Sequence, residues 1–437
     1  MYSDNNNIDL VFLEFVGIQK EFDSKNLEFY LNPGLFLKNE NYLNINQFAY
    51  TVSDTVNNGG TVFGSAQGRS GFELKRFLEQ LSLYSIDVSF EGDTGQKTIT
   101  ENDILIAGTG TGTTTQTVID IEAACSADAT AIVITADETS DAANSIKDNK
   151  KGYFVKIPAK TKKLKIADYA ERQILGHKFD DLSPLGTDFE RKFQICINAQ
   201  IPNILQRLDE TFNVYENTPE YNILRRLKGD TKDLDDNLFE KTYDYYLKNS
   251  EEISKNIDSK NLTIMVDTII NYKNKPSKIL VSGNHNAKEI AMRLMHQGFN
   301  CQVVGETTTG PLEKDDLALV VSTSGNSKNG KLLAKTAMNL GTDLISIITN
   351  PGNGVKSEIV TMHNEEKKGV LYRVPITDDP FEYRRPEDSA SLIVPQNSRG
   401  DLRPQQNMTQ FLNGLVAVLN YKLNMNEKSM TQRHGNN

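Results

Sequence analysis

The chain has 437 residues, enough for two or three domains with cores of their own, and its residues are 38% hydrophobic and 24% charged. Every apolar run is too short to span a bilayer. A formal net charge of −10, without an Arg/Lys stripe interleaved with aromatics, speaks against a nucleic-acid partner.

The first residues, Met1-Tyr2-Ser3-Asp4-Asn5-Asn6-Asn7, lack the basic start and apolar core of a signal peptide, so a cytoplasmic location is expected. Apolar residues recur at helical spacing from Asp9 to Leu31 and from Ile45 to Val56. The turn Asn57-Asn58-Gly59-Gly60 leads into a short buried strand at Val62. The stretch Val62-Phe63-Gly64-Ser65-Ala66-Gln67-Gly68-Arg69-Ser70-Gly71 carries that strand through a glycine-rich turn into a helix opening at Phe72. Such a turn leaves backbone N–H groups and the Ser70 hydroxyl at a helix N-terminus, where the dipole favours an anion, with Arg69 beside them. A phosphate or phosphosugar pocket and an ordinary strand-to-helix turn both fit these residues.

Ile86 to Phe90 alternates like a strand, and Asp103 to Ala107 is a continuous apolar strand of the covered kind. It runs into Gly108-Thr109-Gly110-Thr111-Gly112-Thr113-Thr114-Thr115 and a helix from Gln116 to Ala124. Alternating hydroxyls and glycines let a backbone curl round an anion, and a flexible linker would not be held between a buried strand and a helix. Further strands are expected at Ala131 to Thr135 and Gly152 to Ile157, so the alternation implies a parallel sheet with helices on both faces. Beyond Asp168-Tyr169-Ala170-Glu171-Arg172-Gln173 comes Ser183-Pro184-Leu185-Gly186-Thr187-Asp188-Phe189-Glu190, where Thr187 and Glu190 have capping-box spacing ahead of a helix to about Leu208.

The pattern then starts again. Helices are expected at Asn237 to Ile257, Leu262 to Tyr272, Ala287 to Gln297 and Asn329 to Leu340, with strands at Lys278 to Ser282, Phe299 to Val304, Asp316 to Val321 and Asp343 to Ile348. Ser322-Thr323-Ser324-Gly325-Asn326-Ser327 repeats the small-residue loop, so the chain reads as an internal duplication. The expected division is a first domain over residues 1–210, a linker over 211–236, a second domain over 237–425 and a disordered tail over 426–437. Pro375 to Gln406, with Arg384-Arg385-Pro386 and Arg399 to Pro404, is open between a lid and a solvated loop. Cys125, Cys196 and Cys301 have no metal or redox spacing and are read as reduced, buried and structural.

With these residues in place the chain resembles the sugar isomerase (SIS) family, and within it the 6-phospho-3-hexuloisomerases. The first half carries Gly68-Arg69-Ser70-Gly71 and the tail Pro184-Leu185-Gly186-Thr187 with Phe189-Glu190. The second half carries Ala291-Met292-Arg293-Leu294-Met295-His296-Gln297-Gly298-Phe299 and Val304-Gly305-Glu306-Thr307. There are departures too. Counting from Gly71 puts Leu83 where the family has its helix His, kept in the second half as His296. The second half shortens the Gly-Arg-Ser-Gly turn to Gly283-Asn284-His285-Asn286 and has Leu412 roughly where the first has Glu190. Thr109 and Thr111 replace the family's Ser.

The resemblance implies an α/β fold of two SIS domains, each a five-stranded parallel sheet flanked by helices in a flavodoxin-like three-layer sandwich. It implies isomerisation of 3-hexulose 6-phosphate and fructose 6-phosphate through a 2,3-enediol, a step of the ribulose monophosphate pathway. Glu190 is then the expected base and His296 its partner from the other half. Gly68, Arg69, Ser70, Thr109, Gly110, Thr111, Gly112 and Thr114 would hold the substrate, with a possible second phosphate site at Ser322, Ser324 and Ser327. No cofactor or metal is implied, and the expected assembly is a homodimer of two-domain chains, a pseudo-tetramer. A sugar-phosphate sensor without turnover, or an isomerase of another phosphosugar, stays open beside this reading.

Overall fold

The computed structural model describes residues 6–31, 45–159, 187–208, 235, 237–283, 285–349, 357–375 and 402–425. The stretches 168–173 and 183–186, most of the expected linker, Asn284, the tail from 426 and most of 375–406 lie outside the described residues. In chain order come α1 (Asn6–Leu31), α2 (Ile45–Asn57), β1 (Val62–Ala66), α3 (Gly68–Leu83), β2 (Val88–Phe90), β3 (Ile104–Gly108), α4 (Thr115–Ser126), β4 (Thr130–Thr135), α5 (Asp141–Asn144), β5 (Gly152–Lys156) and α6 (Thr187–Leu205). Then follow α7 (Leu238–Lys255), α8 (Ser259–Ile270), β6 (Ile279–Gly283), α9 (His285–His296), β7 (Cys301–Val303), β8 (Leu317–Ser322), α10 (Lys328–Leu340), β9 (Asp343–Thr349), α11 (Glu358–Glu366), β10 (Val370–Val374) and α12 (Leu402–Lys422).

The strands form two parallel five-stranded sheets, ordered β2-β1-β3-β4-β5 and β7-β6-β8-β9-β10, so the second repeats the topology of the first. Detail repeats as well. Asp103 at the foot of β3 accepts the amides of Thr61 and Thr100 at 2.8 Å each, while Asp316 at the foot of β8 accepts those of Lys278 and Glu313 at 2.9 and 2.8 Å. In both sheets the central strands are buried end to end because helices cover both faces. The fifth strand expected in the second sheet is β10, which the sequence reading does not place, nor does it place α11 before it. Lys367 and Gly369, both at positive φ, break the pattern between these two short elements.

The two halves interlock through their leading helices. Ile8, Val11, Phe12, Phe15 and Val16 of α1 sit in the core of the second sheet, beside Phe411 and Leu415 of α12, whereas Tyr30 at its far end enters the core of the first. Reciprocally, Phe239, Tyr243 and Tyr246 of α7 belong to the core of the first sheet and Ile253 to that of the second. Gly414 makes this possible, since a Cβ there would lie 2.5 Å from the Phe12 ring. Cys196 and Cys301 are buried in the two cores, where loss of water pushes each thiol up to about 12. Cys125, expected to be buried, is half-buried because it ends a surface helix, with Ser145 O 3.8 Å from its Sγ.

Candidate active site

The first turn differs from the sequence expectation in one respect. The helix opens at Gly68, not Phe72, so Arg69 and Ser70 lie in its first turn and not in a loop ahead of it. Gly68 takes φ +60°, and a Cβ on Gly71 would stand 2.6 Å from the carbonyl oxygen of Ala66. Glycine at these two places lets the helix begin directly on the end of β1. Gln67, the residue before it, makes no side-chain cap to the first-turn amides.

The Thr loop sits beside this turn, because β1 and β3 are neighbours in register from Val62↔Ile104 to Ala66↔Gly108. The Thr109 and Thr114 hydroxyls are 3.1 Å apart and those of Thr111 and Thr113 3.0 Å apart. Thr114 is the N-cap residue of α4 yet spends its hydroxyl on Thr109 and caps nothing. The loop is pinned from behind: Gly112 O accepts the Ala142 amide at 2.9 Å, and Gly110 O accepts that of Ala136 at 3.3 Å. Gly112 has φ +66°, and a Cβ there would meet Ser140 Oγ at 2.0 Å.

The second half builds the same cradle. Gly325 has φ +67°, a Cβ there would meet Ser357 Oγ at 2.0 Å, and its carbonyl accepts the Ile359 amide at 3.2 Å. Ser140 and Ser357 each cap the short helix behind the loop. Ser322 Oγ accepts the Gly325 amide at 3.0 Å and Ser324 Oγ that of Asn326 at 3.2 Å, so these two hydroxyls brace their own loop. Ser327 Oγ is buried without a hydrogen bond.

Helix α6 brings the acid in. Phe189 packs its ring on Gly110, where an added Cβ would be 3.1 Å away, and Phe193 does the same to Gly108. The next residue along from Phe189, Glu190, is thereby held between the Thr loop and the first turn of α3. Its Oε2 lies 3.0 Å from Arg69 Nη2, and 16% of its side chain stays exposed. Burial pushes the carboxyl up to about 7, against the pull of Arg69 and Arg293 and with help from Glu289 and Asp188. Arg69, expected to meet substrate directly, thus meets the acid.

Around this pair lies a buried charged cluster spanning both halves. Glu73 and Arg76 of α3 pair at 3.0 Å, and Glu289 and Arg293 of α9 approach to 3.5 Å. Loss of water raises Glu73 to about 7, opposed by Arg76, with Glu289 and Glu190 adding to the rise. Arg293 is lowered to about 10 by burial and by Arg69, while Glu289 and Glu190 oppose that fall. Gln194 of α6 and Asn286 of α9 both donate to the Thr409 hydroxyl of α12, at 3.1 and 2.8 Å. His296 is buried in the last turn of α9, three residues beyond Arg293 and so one turn further along the same side. His285 lies elsewhere, with its Nε2 3.1 Å from each Glu79 oxygen and its ring stacked on Phe72.

Sequence reasoning singled out Glu190 and Arg69 but gave no role to Glu73, Arg76, Glu289 or Arg293. Their i,i+3 and i,i+4 spacing among apolar neighbours such as Leu74, Phe77, Ile290 and Leu294 is the signal that marks a charged stripe facing inward. Among the described residues no group of His, Cys, Asp and Glu could hold a metal ion, and no helix is long and apolar enough to cross a membrane.

The SIS domain model matches residues 281–377. The 3-hexulose-6-phosphate isomerase of Methanocaldococcus jannaschii is 31% identical over 175 residues, which cover 39% of this chain and 83% of that protein. The chain belongs to the SIS family. A second SIS relative, the 3-hexulose-6-phosphate isomerase of Bacillus subtilis, is 28% identical over 34% of this chain and 72% of its own length. Both relatives match less than half of this chain, as expected where one chain holds two SIS domains. Solved structures share the fold over both sheets. The C-terminal domain of glucosamine-fructose-6-phosphate aminotransferase from Francisella tularensis covers 94% of this chain and 96% of itself at a TM-score of 0.54 and 10% identity. Tagatose-6-phosphate ketose/aldose isomerase from Escherichia coli covers 96% and 93% at 0.51 and 12%.

Proposed function

We propose that the chain interconverts 3-hexulose 6-phosphate and fructose 6-phosphate, with Glu190 as the base. The observation that carries this reading is the Glu190 carboxyl, paired with Arg69 at 3.0 Å and held between two helix N-termini whose N-cap residues make no side-chain cap. Moving the carbonyl from C3 to C2 removes the C2 proton and passes through a 2,3-enediol. It then returns a proton to C3 while another passes from O2 to O3. One carboxylate over one face of the sugar serves both carbon transfers, and an affinity for protons near the working pH suits it to take and give. Arg69 keeps that carboxyl aimed. The phosphate lies against the Thr109–Thr114 loop and the amides of Gly110 and Gly112, where the dipole of α4 favours an anion, while Ser70 contacts sugar hydroxyls. His296, whose neutral imidazole has one donor and one acceptor nitrogen, moves the proton between O2 and O3. The names of the SIS relatives support the substrate.

The second half takes a different part. Its Ser322–Ser327 loop repeats the cradle, but the neutral Gln405, and not the expected Leu412, stands where the first half has its acid, since Lys192 and Asn407 donate to the equivalent carbonyls of Pro158 and Pro375; this half binds sugar phosphate without turning it over. The deciding experiment is turnover of 3-hexulose 6-phosphate by the purified protein beside a Glu190→Gln variant. Turnover lost by on the order of a hundredfold or more, with phosphosugar binding retained, is the expected outcome. An unmodified protein that binds sugar phosphate and turns over none of it removes the isomerase reading and leaves a sensor.

A further inference from the structure

We infer that Arg293, supplied by the second half, is a positioning residue for the Glu190 carboxyl of the first, so that the one competent site is completed across the internal duplication. The inference rests on the reading of Glu190 as the base. Helices α3 and α9 pack against one another, and α6 packs on α3, which brings Glu190 and Arg293 into one buried cluster. Glu190 is therefore paired with Arg69 of its own half, 3.0 Å away, and lies in the field of Arg293 from the other.

The mirror position shows that this is more than a pairing of Arg293 with Glu289 along α9. Aligning Leu83 with His296 sets Gln80 against Arg293 and Arg76 against Glu289. Glu190 in turn matches Gln405, because Lys192 and Asn407 donate to the equivalent carbonyls of Pro158 and Pro375 and Gln194 meets Thr409. The arginine is thus present where the acid of the opposite half is present, and neutral Gln80 stands where that acid is neutral Gln405. A buried guanidinium without an acid to face would carry a desolvation cost with nothing to offset it.

Among the described residues, other charges on the elements packed round Glu190 have partners of their own. On α3, Glu73 pairs with Arg76; on α6, Asp188 pairs with Lys192 at 3.1 Å and Arg191 with Asp23 of α1 at 2.7 Å; on α9, Glu289 lies beside Arg293.

The test is a titration of the whole chain with its glutamate carboxyls 13C-labelled, followed by NMR, the Glu190 signal being the one absent from Glu190→Gln. Arg293→Gln installs the residue that the first half already tolerates at the mirror position. The Glu190 midpoint should rise by about one pH unit in it, the shift expected for losing an opposite charge nearby, and Arg293→Lys should restore most of the change. An unshifted midpoint in Arg293→Gln overturns the inference. If that variant does not fold, Arg293→Met, which removes the charge and keeps an unbranched apolar side chain, must raise the midpoint, and a midpoint that stays overturns the inference equally. A wild-type chain without turnover would end the isomerase reading while the midpoints still decide this one.

Discussion

In the proposed reaction Glu190 is the base, and its surroundings set how that group answers to pH. With the folded carboxyl at about 7, the base is protonated in acid, so kcat/KM should climb with pH up to about 7 and level off above it. A stopped assay across that range checks the limb. Arg69→Met should move the limb to higher pH, since the cation that favours the ionised form is gone. At this scale the sequence showed part of the site. Glu190 was legible because it follows Thr187 and Phe189 in a spaced motif, whereas Arg293 and Glu73 were not, because their partners lie on helices far away in the chain. No local pattern says that a charged residue on an amphipathic helix will face a second charged helix and not water.

The two loops are one structural element used twice, and equal substitutions should have unequal effects. Gly112→Ala and Gly325→Ala each put a methyl 2.0 Å from a serine Oγ at a positive φ. Each should lower the melting temperature by a similar amount, since an L side chain in that conformation costs roughly 1–2 kcal/mol before the clash is counted. Only Gly112→Ala should also reduce turnover, by about tenfold or more, because it moves the cradle beside Glu190. Equal losses of turnover in both variants would place catalysis in both halves. Strands and helices were legible here from apolar runs and helical spacing, and the duplicated order of elements was legible with them. The start of α3 was placed four residues late, because Gly68 and Gly71 look like a loop in sequence yet form the helix's first turn through close contact with Ala66.

Over the whole molecule, the buried cluster between the halves ties stability to pH. Glu73 and Glu190 both stand near 7 when folded, against 4.5 unfolded, so the folded state holds more protons between these values. These two groups therefore contribute stability that is present in mild acid and lost as pH rises towards about 7, a contribution that Glu73→Gln/Glu190→Gln should remove. Chemical denaturation at a series of pH values measures it. The interlocked helices predict one cooperative transition for both sheets. Phe12→Ala should cost about 3–5 kcal/mol, and hydrogen exchange should report the loss in both sheets although Phe12 touches only the second core. Separate transitions would show the halves to be independent.

The reciprocal seating of α1 and α7 has a historical side. A doubled protein whose copies stood apart could lose either copy and keep working. Here neither copy holds all of its own core, so excision of one would unmake the other, and duplication becomes hard to reverse. Under that constraint each copy is free to shed whatever its twin retains. The acid surviving on one side and the imidazole on the other are what such shared inheritance would leave behind.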